Sequence, residues 1–277
     1  MTSDHTIIEY LDGLPVRLAS PIDLSFIHQY GTIFKVFDDQ DSGNLCFGVT
    51  AEDGQRLFVK FAGAHAAAYE GRPNDAIARL RAAEAVYQNL AHPSLIHLRH
   101  TKTVAGGFAM VYDWVDAVCA ARMYEDDHRR FRQLPWPTLN VIFHDVLDFH
   151  IHVANHGYVA IDFQDGSIMW DEHLQRTVIC DIDFYQSCPC FGRPDSWGSP
   201  RFIAPEERIE GAMIDEVTNV YTMGATAFCL FADSDRSRSA WPLSQARFDI
   251  ATRAVSNDRL TRPQSIAELA ALWDDAA

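Results

Sequence analysis

Apolar and polar residues alternate in short runs through the first 115 positions, a pattern typical of β-strands. The predicted strands cover residues 31–37, 44–50, 57–61, 95–103 and 108–115. Polar turn sequences separate them, with Asp53-Gly54 as the strongest hairpin signal. Residues 75–90 instead repeat apolar side chains every three or four positions, which predicts one amphipathic helix that ends before Pro93.

The pattern becomes helical after Pro137, where residues 138–155 predict one long amphipathic helix. Three short strands are then predicted at residues 158–162, 167–170 and 177–182. A loop rich in proline and glycine runs to Pro205, and helices follow to the end. Five strands with one helix, then a mainly helical half, predict an α+β fold of two lobes with a boundary near residues 113–118. Residues before Leu24 fit no element in this pattern.

Composition narrows the classes of partner. The chain has 277 residues, and its longest apolar run, residues 220–232, is too short for a membrane span. The first residues lack a basic segment followed by an apolar one, so we expect a cytoplasmic protein without a signal peptide or membrane partner. The net charge of −15 repels phosphate backbones and makes nucleic acid a poor partner. A basic peptide, a cationic small molecule or chelated Mg²⁺ fits better.

Four charged residues lie in or directly after apolar strands. Lys60 falls within a predicted strand, where it either needs an anionic partner or lies on an edge strand with its ammonium group in water. Asp162 ends one apolar strand, and Asp181 and Asp183 end the next. Strand alternation predicts that Asp181 and Asp183 share one side. Carboxylates in such positions favour a cation, and oxygen ligands suit Mg²⁺, although turn or cap aspartates are the plain alternative.

A second possible metal site lies on the long helix. His144, Asp148 and His152 follow one another at intervals of four residues, which places them on one face. A polar helix face without a metal is the alternative interpretation.

The ordered motifs resemble those of the protein kinase superfamily, over residues 33–272. A lysine on the third strand, an aspartate on the catalytic loop and an aspartate after the next hairpin correspond to Lys60, Asp162 and Asp181. Residues 198–206, Gly-Ser-Pro-Arg-Phe-Ile-Ala-Pro-Glu, resemble the G-T-P-x-Y/F-x-A-P-E segment. Residues 219–224, Asn-Val-Tyr-Thr-Met-Gly, resemble the D-V-Y-S-L-G helix start. Arg262 lies where the family places the arginine that pairs with the glutamate of A-P-E, here Glu206.

The resemblance implies one kinase-like domain over residues 1–277, with a small β-rich N-lobe at about 24–113 and a larger helical C-lobe at 114–277. ATP and Mg²⁺, or Mn²⁺, would bind in the cleft between the lobes. Lys60 would hold the α- and β-phosphates, and Asp162 would accept the proton of the acceptor hydroxyl. The remaining implied roles are nucleotide contacts by Gly43, Tyr112 as gatekeeper and Asp113 of the hinge, pairing with Lys60 by Glu84, and metal binding by Asp181, Asp183 and Ser167. For Glu84, a solvated helix face without that pairing is the alternative.

Several positions depart from the family pattern. The H-R-D triplet reads Ala160-Ile161-Asp162, so we expect no need for phosphorylation of the activation loop. Gln164 replaces the loop lysine, and Ser167 replaces the metal-binding asparagine. Asp183 replaces the glycine of D-F-G, and we expect it to offset the lost asparagine. Gly43 alone remains of the glycine-rich loop.

The resemblance therefore favours an ATP-dependent phosphotransferase that acts on a hydroxyl acceptor of a protein or a small molecule. Ser199 keeps a hydroxyl typical of the serine/threonine class. The departures leave open a pseudokinase that binds nucleotide or acts as a scaffold. A small-molecule kinase is a third possibility, which the Ala-Pro-Glu segment disfavours. Substrate, regulator and oligomeric state are not determined by these patterns.

Overall fold

The structure is a computed structural model that describes residues 6–39, 41–195 and 198–276. Its residues group into two compact units. The first is drawn from residues up to 88 and from 96–115, and the second from 89–95 and from 116 onward. The first is rich in β-strands and the second is mainly helical, so the predicted α+β class is confirmed at that level.

The first unit is built on a five-stranded antiparallel sheet. Its elements in chain order are β1 (Ile7–Leu11), β2 (Leu14–Leu18), β3 (Thr32–Phe37), β4 (Asn44–Thr50), β5 (Arg56–Ala62), α1 (Pro73–Asn89), β6 (Leu98–Val104) and β7 (Gly107–Asp113). The strand order in the sheet is β3-β4-β5-β7-β6. All neighbours in this sheet are antiparallel, and α1 stands between the third and fourth strands along the chain. The five predicted strands and the predicted helix are all present, with shifts of a few residues at their ends.

Strands β1 and β2 form a hairpin that the sequence pattern left unassigned. Asp12 and Gly13 connect them with φ angles of 50° and 81°, the left-handed pair that an Asp-Gly turn provides. Arg17 on β2 donates to the Asp38 carboxylate from its backbone and its guanidinium, which joins the hairpin to the end of β3. The Asp-Gly turn and the alternation around it were the signals available in the sequence.

The second unit contains the longer helices. Its elements are β8 (Val118–Cys119), α2 (Glu125–Phe131), α3 (Trp136–Asn155), β9 (Tyr158–Val159), β10 (Ile168–Asp171), β11 (Arg176–Ile179), β12 (Gln186–Ser187), β13 (Cys190–Phe191), β14 (Met213–Ile214), α4 (Glu216–Ala232), α5 (Gln245–Ala254) and α6 (Ile266–Asp275). Helices α3, α4 and α6 enclose an aromatic core. The rings of Phe143 and Trp273 lie 4.6 Å apart, and those of Phe231 and Trp273 lie 5.6 Å apart. The apolar run at residues 220–232 is the buried part of α4.

Two of the predicted strands end earlier than expected, at Val159 and Ile179. Asp162 and Asp181 have left-handed φ angles of 62° and 57°, which cannot continue a strand. Helix α2 was not predicted, because its seven residues are mostly charged and lack an apolar period. Within the described part of the chain, we find no helix whose length and hydropathy would suit a membrane crossing.

Candidate functional site

The segment before Asp162 is fixed by helix α4. The Asp215 carboxylate accepts hydrogen bonds from the first backbone amides of α4, so it caps the start of the helix. One turn later, Asn219 bonds the peptide of Ala160 twice. Its Oδ1 accepts from the Ala160 nitrogen and its Nδ2 donates to the Ala160 oxygen, both at 2.8 Å. Ala160 therefore has one defined position, two residues before Asp162.

Asp162 lies at a left-handed turn (φ 62°) and is half-buried. Aspartate tolerates this conformation better than most residues because its short polar side chain can bond locally. The Gln164 amide donates to Asp162 Oδ1 at 3.3 Å. A Cβ atom at Gly198 would lie 3.8 Å from the same oxygen. The Asp162 carboxylate is therefore bounded by Gln164 on its own loop and by the segment that contains Gly198.

A buried histidine and a buried tyrosine lie next to the loop that contains Asp162. His150 is fully buried, and its Nδ1 lies 2.7 Å from the Val146 carbonyl oxygen. That oxygen only accepts, so Nδ1 carries the proton and Nε2 accepts from the Tyr185 hydroxyl at 2.8 Å. Burial lowers the pKa of His150 to about 4, which keeps the ring neutral. The next loop residue, Phe163, packs its ring against His150 at 4.4 Å.

Tyr185 also indicates that two of the predicted site residues lie close together. Burial is the main cause that raises the pKa of Tyr185 well above its usual value, and the negative charges of Asp162 and Asp181 raise it further. Both carboxylates therefore lie within electrostatic range of one hydroxyl group. The structure brings Asp162 and Asp181 to the same part of the second unit.

The expectation that a strand runs through Asp181 and Asp183 is wrong, so strand alternation does not place their side chains. Strand β11 ends at Ile179, before either residue, and the left-handed φ of Asp181 breaks the alternation. Asp181 is exposed, whereas Asp183 is buried. Ser167, the third predicted metal ligand, is buried, and its carbonyl oxygen accepts from the Cys180 nitrogen at 3.0 Å. This bond joins the Asp162 loop to the segment that carries Asp181.

The three predicted metal ligands have the chemistry of a site for Mg²⁺ that arrives with a nucleotide, rather than of a site built from protein ligands alone. Among the described residues, no group of three or more histidine, cysteine, aspartate or glutamate side chains is arranged to hold a metal ion. Mg²⁺ at a nucleotide site needs only one or two carboxylates, because phosphates and waters complete its shell. The hard oxygen donors of Asp181, Asp183 and Ser167 therefore match the chemistry of Mg²⁺ carried by a nucleotide.

Lys60 lies in the middle of the sheet of the first unit, so the edge-strand alternative is wrong. Its strand, β5, pairs with β4 on one side and β7 on the other. Lys60 is 8% exposed, which is rare for a lysine. Across the sheet it lies in one row with Cys46, Met110 and Thr101.

Glu84, the predicted partner of Lys60, lies near this row. Its Oε1 accepts from the Thr101 hydroxyl at 2.8 Å and from the Gln88 amide at 3.3 Å. Thr101 is two strands from Lys60, a separation of about 10 Å. The pairing of Glu84 with Lys60 therefore stays a prediction.

An aromatic cluster covers the sheet face that carries Lys60, and the sequence patterns did not reveal it. The cluster consists of Phe34, Phe37, Phe58, Tyr112 and Trp114. Phe58 is two residues before Lys60 and so points to the same side; its ring lies 6.1 Å from Tyr112 and 6.5 Å from Trp114. Gly48 makes the cluster possible, because a Cβ atom there would lie 2.7 Å from Phe34 and 2.8 Å from Trp114.

Two predicted nucleotide-contact residues in this unit have roles in packing or in ion pairs. Tyr112 is 2% exposed, and its hydroxyl donates to the sulfur of Met110 at 3.6 Å. The Asp113 carboxylate pairs with Arg99 on β6 and with His97, the residue before that strand. Partial burial opposes its ionisation, but the hydrogen bonds from these two residues outweigh that effect and lower the pKa of Asp113.

Gly43 also has a packing explanation. It has a φ of +80°, and a Cβ atom there would lie 2.6 Å from the ring of Tyr69. Arg79 on α1 donates to the carbonyl oxygen of Ser42, the residue before it. The absence of a side chain at Gly43 therefore makes room for Tyr69.

The predicted pair of Glu206 with Arg262 is confirmed. The Arg262 side chain is fully buried and grips both Glu206 oxygens, at 2.6 and 2.9 Å. Arg259 adds a contact to Glu206 at 3.2 Å and holds both oxygens of Asp215 at 2.6 Å. Burial alone would raise the pKa of Glu206, but the hydrogen bonds from Arg262 reverse the direction and lower it.

The three side chains of the second possible metal site, on α3, each contact different residues. His144 lies 3.4 Å from Asp274, and Asp148 lies 3.3 Å from His92. His152 packs its ring against those of His156 and His92, at 4.1 and 5.1 Å. This arrangement favours the polar-face interpretation.

No protein-family model matches the chain, and no curated protein sequence matches it.

Proposed function

We propose that the chain is an ATP-dependent phosphotransferase with a kinase-like two-lobed fold, of the serine/threonine class. The observation that carries the proposal is the loop of Asp162. Its backbone is fixed by Asn219 at Ala160, and it presents a half-buried carboxylate at a left-handed turn. Residues in such strained conformations concentrate at functional sites.

Two further features support the proposal. The order β3-β4-β5-β7-β6, with a helix between the third and fourth strands, puts a buried lysine on the central strand beside an aromatic face. A lysine near aromatic rings suits a ligand that has both phosphates and a planar base. The bidentate pair of Arg262 with Glu206 is the contact that the resemblance implies for the Ala-Pro-Glu segment.

The proposed reaction uses the chain's side chains as follows. The acceptor hydroxyl oxygen forms a bond to the γ-phosphorus, the bond from that phosphorus to the β–γ bridging oxygen breaks, and ADP leaves. Asp162 orients the hydroxyl and accepts its proton, and Lys60 binds the α- and β-phosphates. Mg²⁺ bound with the nucleotide supplies charge neutralisation, and Asp181, Asp183 and Ser167 are the residues that would hold it. Positioning and electrostatic stabilisation account for most of the rate.

The test is phosphate transfer by the purified full chain. Labelled ATP with Mg²⁺ or Mn²⁺ is incubated with and without a basic protein acceptor, for the natural chain and for Asp162→Asn. Asparagine tolerates the left-handed backbone, so we expect the variant to fold and to lose transfer by a factor of about 10² to 10⁴. Asp126→Asn is the matched control, since Asp126 is exposed and its ion pair is with Arg129, three residues later on the same helix. Equal transfer by natural chain and Asp162→Asn would contradict the proposal.

A pseudokinase is the second candidate, and the packing of Tyr69 against Gly43 favours it because it gives that glycine a purely structural role. Thermal stabilisation by Mg²⁺-ATP without transfer to protein or to small hydroxyl compounds would identify this case, since a ligand that binds only the folded state raises its stability. Transfer to small hydroxyl compounds alone would indicate a small-molecule kinase. An unchanged melting temperature would contradict every nucleotide-binding function.

A further inference from the structure

An ion pair joins the 198–206 segment to the loop that carries Asp162. The Arg201 guanidinium donates from Nη2 to Asp165 Oδ2 at 2.8 Å. The Asp165 side chain is 5% exposed and that of Arg201 is 31% exposed, so the bond is largely removed from solvent. Asp165 begins the 3₁₀ turn Asp165–Ser167, three residues after Asp162.

Arg201 is itself held in place by several contacts. Its Nη1 donates to the Ser234 hydroxyl at 3.3 Å, just beyond the end of α4. Its guanidinium stacks over the ring of Phe202 at 5.1 Å. Its carbonyl oxygen accepts from Arg236 at 2.8 Å. The cation that meets Asp165 is therefore preorganised rather than mobile, and the cost of ordering its side chain is shared among these contacts.

The same segment approaches the loop at a second point. A Cβ atom at Gly198 would lie 3.8 Å from Asp162 Oδ1, and Gly198 has a φ of +140° that a side chain would strain. Directly after Arg201, the amides of Phe202 and Ile203 both donate to the carbonyl oxygen of Ser199, which follows Gly198. Ile161, which precedes Asp162, is buried in an apolar cluster with Val159, Cys190 and Ile214. Arg201 thus provides a charged contact from this segment to an acid of the loop.

We propose that the ion pair of Arg201 with Asp165 is a permanent latch that keeps the 198–206 segment on the Asp162 loop in the unphosphorylated chain. Arg201 and Asp165 are positioning residues and touch no reacting atom. The latch as a structural device stands by itself, whereas its effect on phosphate transfer rests on the proposed function.

Hydrogen exchange of the Phe202 and Ile203 amides tests the latch without any activity. We expect about a tenfold or greater increase of their exchange rates in Arg201→Met and in Asp165→Asn, because the segment opens more often once the ion pair is lost. The double variant should exchange no faster than Arg201→Met, since both changes remove the same bond. Arg201→Lys keeps the positive charge but has fewer hydrogen-bond donors, so its exchange rates should lie between those of the natural chain and of Arg201→Met.

Arg253→Met is the matched control, because Arg253 is an exposed arginine whose contact to Glu268 is 4.0 Å. Phosphatase treatment of the natural chain should leave the exchange unchanged. Exchange at Phe202 and Ile203 that is equal in the natural chain, Arg201→Met and Asp165→Asn would overturn the latch. If Arg201→Met fails to fold, Asp165→Asn and Arg201→Lys give the same comparison.

Kinetics separate the latch from the proposed function. With a basic protein acceptor, Arg201→Met should lower kcat about tenfold or more and leave the KM for ATP nearly unchanged, because misplacement of Asp162 affects the transition state. An unchanged kcat in Arg201→Met would contradict the positioning role. If the natural chain transfers no phosphate, the proposed function fails, and the exchange measurement still decides the latch.

Discussion

Two groups of carboxylates in the second unit contrast in how they are held. Glu206 accepts from both Nη atoms of Arg262, and both oxygens of Asp215 accept from Nη2 of Arg259. These contacts lie around the start of α4. Asp162 and Asp181 instead lie in left-handed turns just beyond short strands, and the charges of both raise the pKa of Tyr185. The first group satisfies carboxylates with fixed arginines and so stabilises the fold. The second places a half-buried and an exposed carboxylate in left-handed backbone, a conformation that is enriched at functional sites.

Neighbouring residues show the same contrast at the level of protonation. Glu206 and Glu207 are adjacent and both buried. The Arg262 guanidinium lowers the pKa of Glu206 against the effect of burial, whereas burial raises the pKa of Glu207 to about 7. The direct bidentate cation therefore keeps Glu206 ionised at a lower pH than its buried neighbour Glu207.

The largest effect is expected from removing the arginine of the first group. Arg262→Met leaves the buried Glu206 carboxylate without its bidentate partner, and we expect a loss of about 3–5 kcal/mol in the free energy of unfolding. Urea denaturation measures this loss. Arg253→Met removes an exposed contact and should cost less than about 1 kcal/mol. Equal losses in both variants would show that the Glu206 group contributes no more than a surface pair.

Glu207 should lower the free energy of unfolding as the pH rises, whereas Glu206 should lower it as the pH falls. Its pKa is about 7 in the folded state against an ordinary value of 4.5, so the folded chain holds the proton longer than the unfolded chain. Stability from this group is full below pH 4.5 and is lost as the pH rises towards 7, by about 3 kcal/mol. Glu207→Gln keeps an acceptor for the Ala204 amide.

Urea denaturation at several pH values checks this sign. At pH 8 we expect Glu207→Gln to be more stable than the natural chain, with a difference that shrinks as the pH falls to 4.5. Glu206→Gln is the contrasting variant, since the pKa of Glu206 is lowered and its contribution is lost in acid. A pH-independent difference for Glu207→Gln would contradict the assigned protonation.

Asn219 links the two groups, since Asp215 caps the helix from which Asn219 holds Ala160. Asn219→Ala removes two buried hydrogen bonds of 2.8 Å and leaves the Ala160 peptide unsatisfied. We expect a loss of about 1–3 kcal/mol in stability together with a lower kcat in any transfer assay. Asn140→Ala on α3 is the control, because it removes a hydrogen bond of 3.2 Å that the Trp273 indole donates to the Asn140 side chain. A full kcat in Asn219→Ala would show that the loop holds its shape by other contacts.

Much of the fold could be predicted from local pattern. Alternation predicted the sheet strands, and the period of apolar residues predicted α1 and α3. The pattern failed where backbone strain decides the outcome. Nothing in an apolar run before Asp162 or Asp181 signals a left-handed φ, so both strands were predicted too long. Helix α2 was missed because it is favoured by acidic residues in its first turn and basic residues in its last turn, and not by a period of apolar residues.

The sequence predicted which residues belong to the candidate site and their order along the chain, but it did not predict most of their contacts. Arg262 and Glu206 could be paired from the resemblance. Arg201 with Asp165, and His150 with Tyr185, are separated by 35 or more positions. Such pairs follow from how the loops pack, which the periodicity of one segment cannot reveal. Gly48 similarly makes sense only with the rings of Phe34 and Trp114 in place.

The smallest effect, and the one that most directly tests the second group, concerns Asp183. Asp183→Asn exchanges a carboxylate for an amide of the same shape, so under the proposed function Mg²⁺-dependent binding of ATP should weaken about tenfold, or about 1.4 kcal/mol. Binding in the presence of a chelator should not change, because the loss concerns only the metal. Asp181→Asn should behave alike, and Asp126→Asn should bind as the natural chain does. Because Asp183 is buried, a purely structural role would instead lower the melting temperature and leave the Mg²⁺ dependence intact. Titration with and without metal therefore decides whether Asp183 belongs with Asp181 or with the carboxylates that only hold the fold.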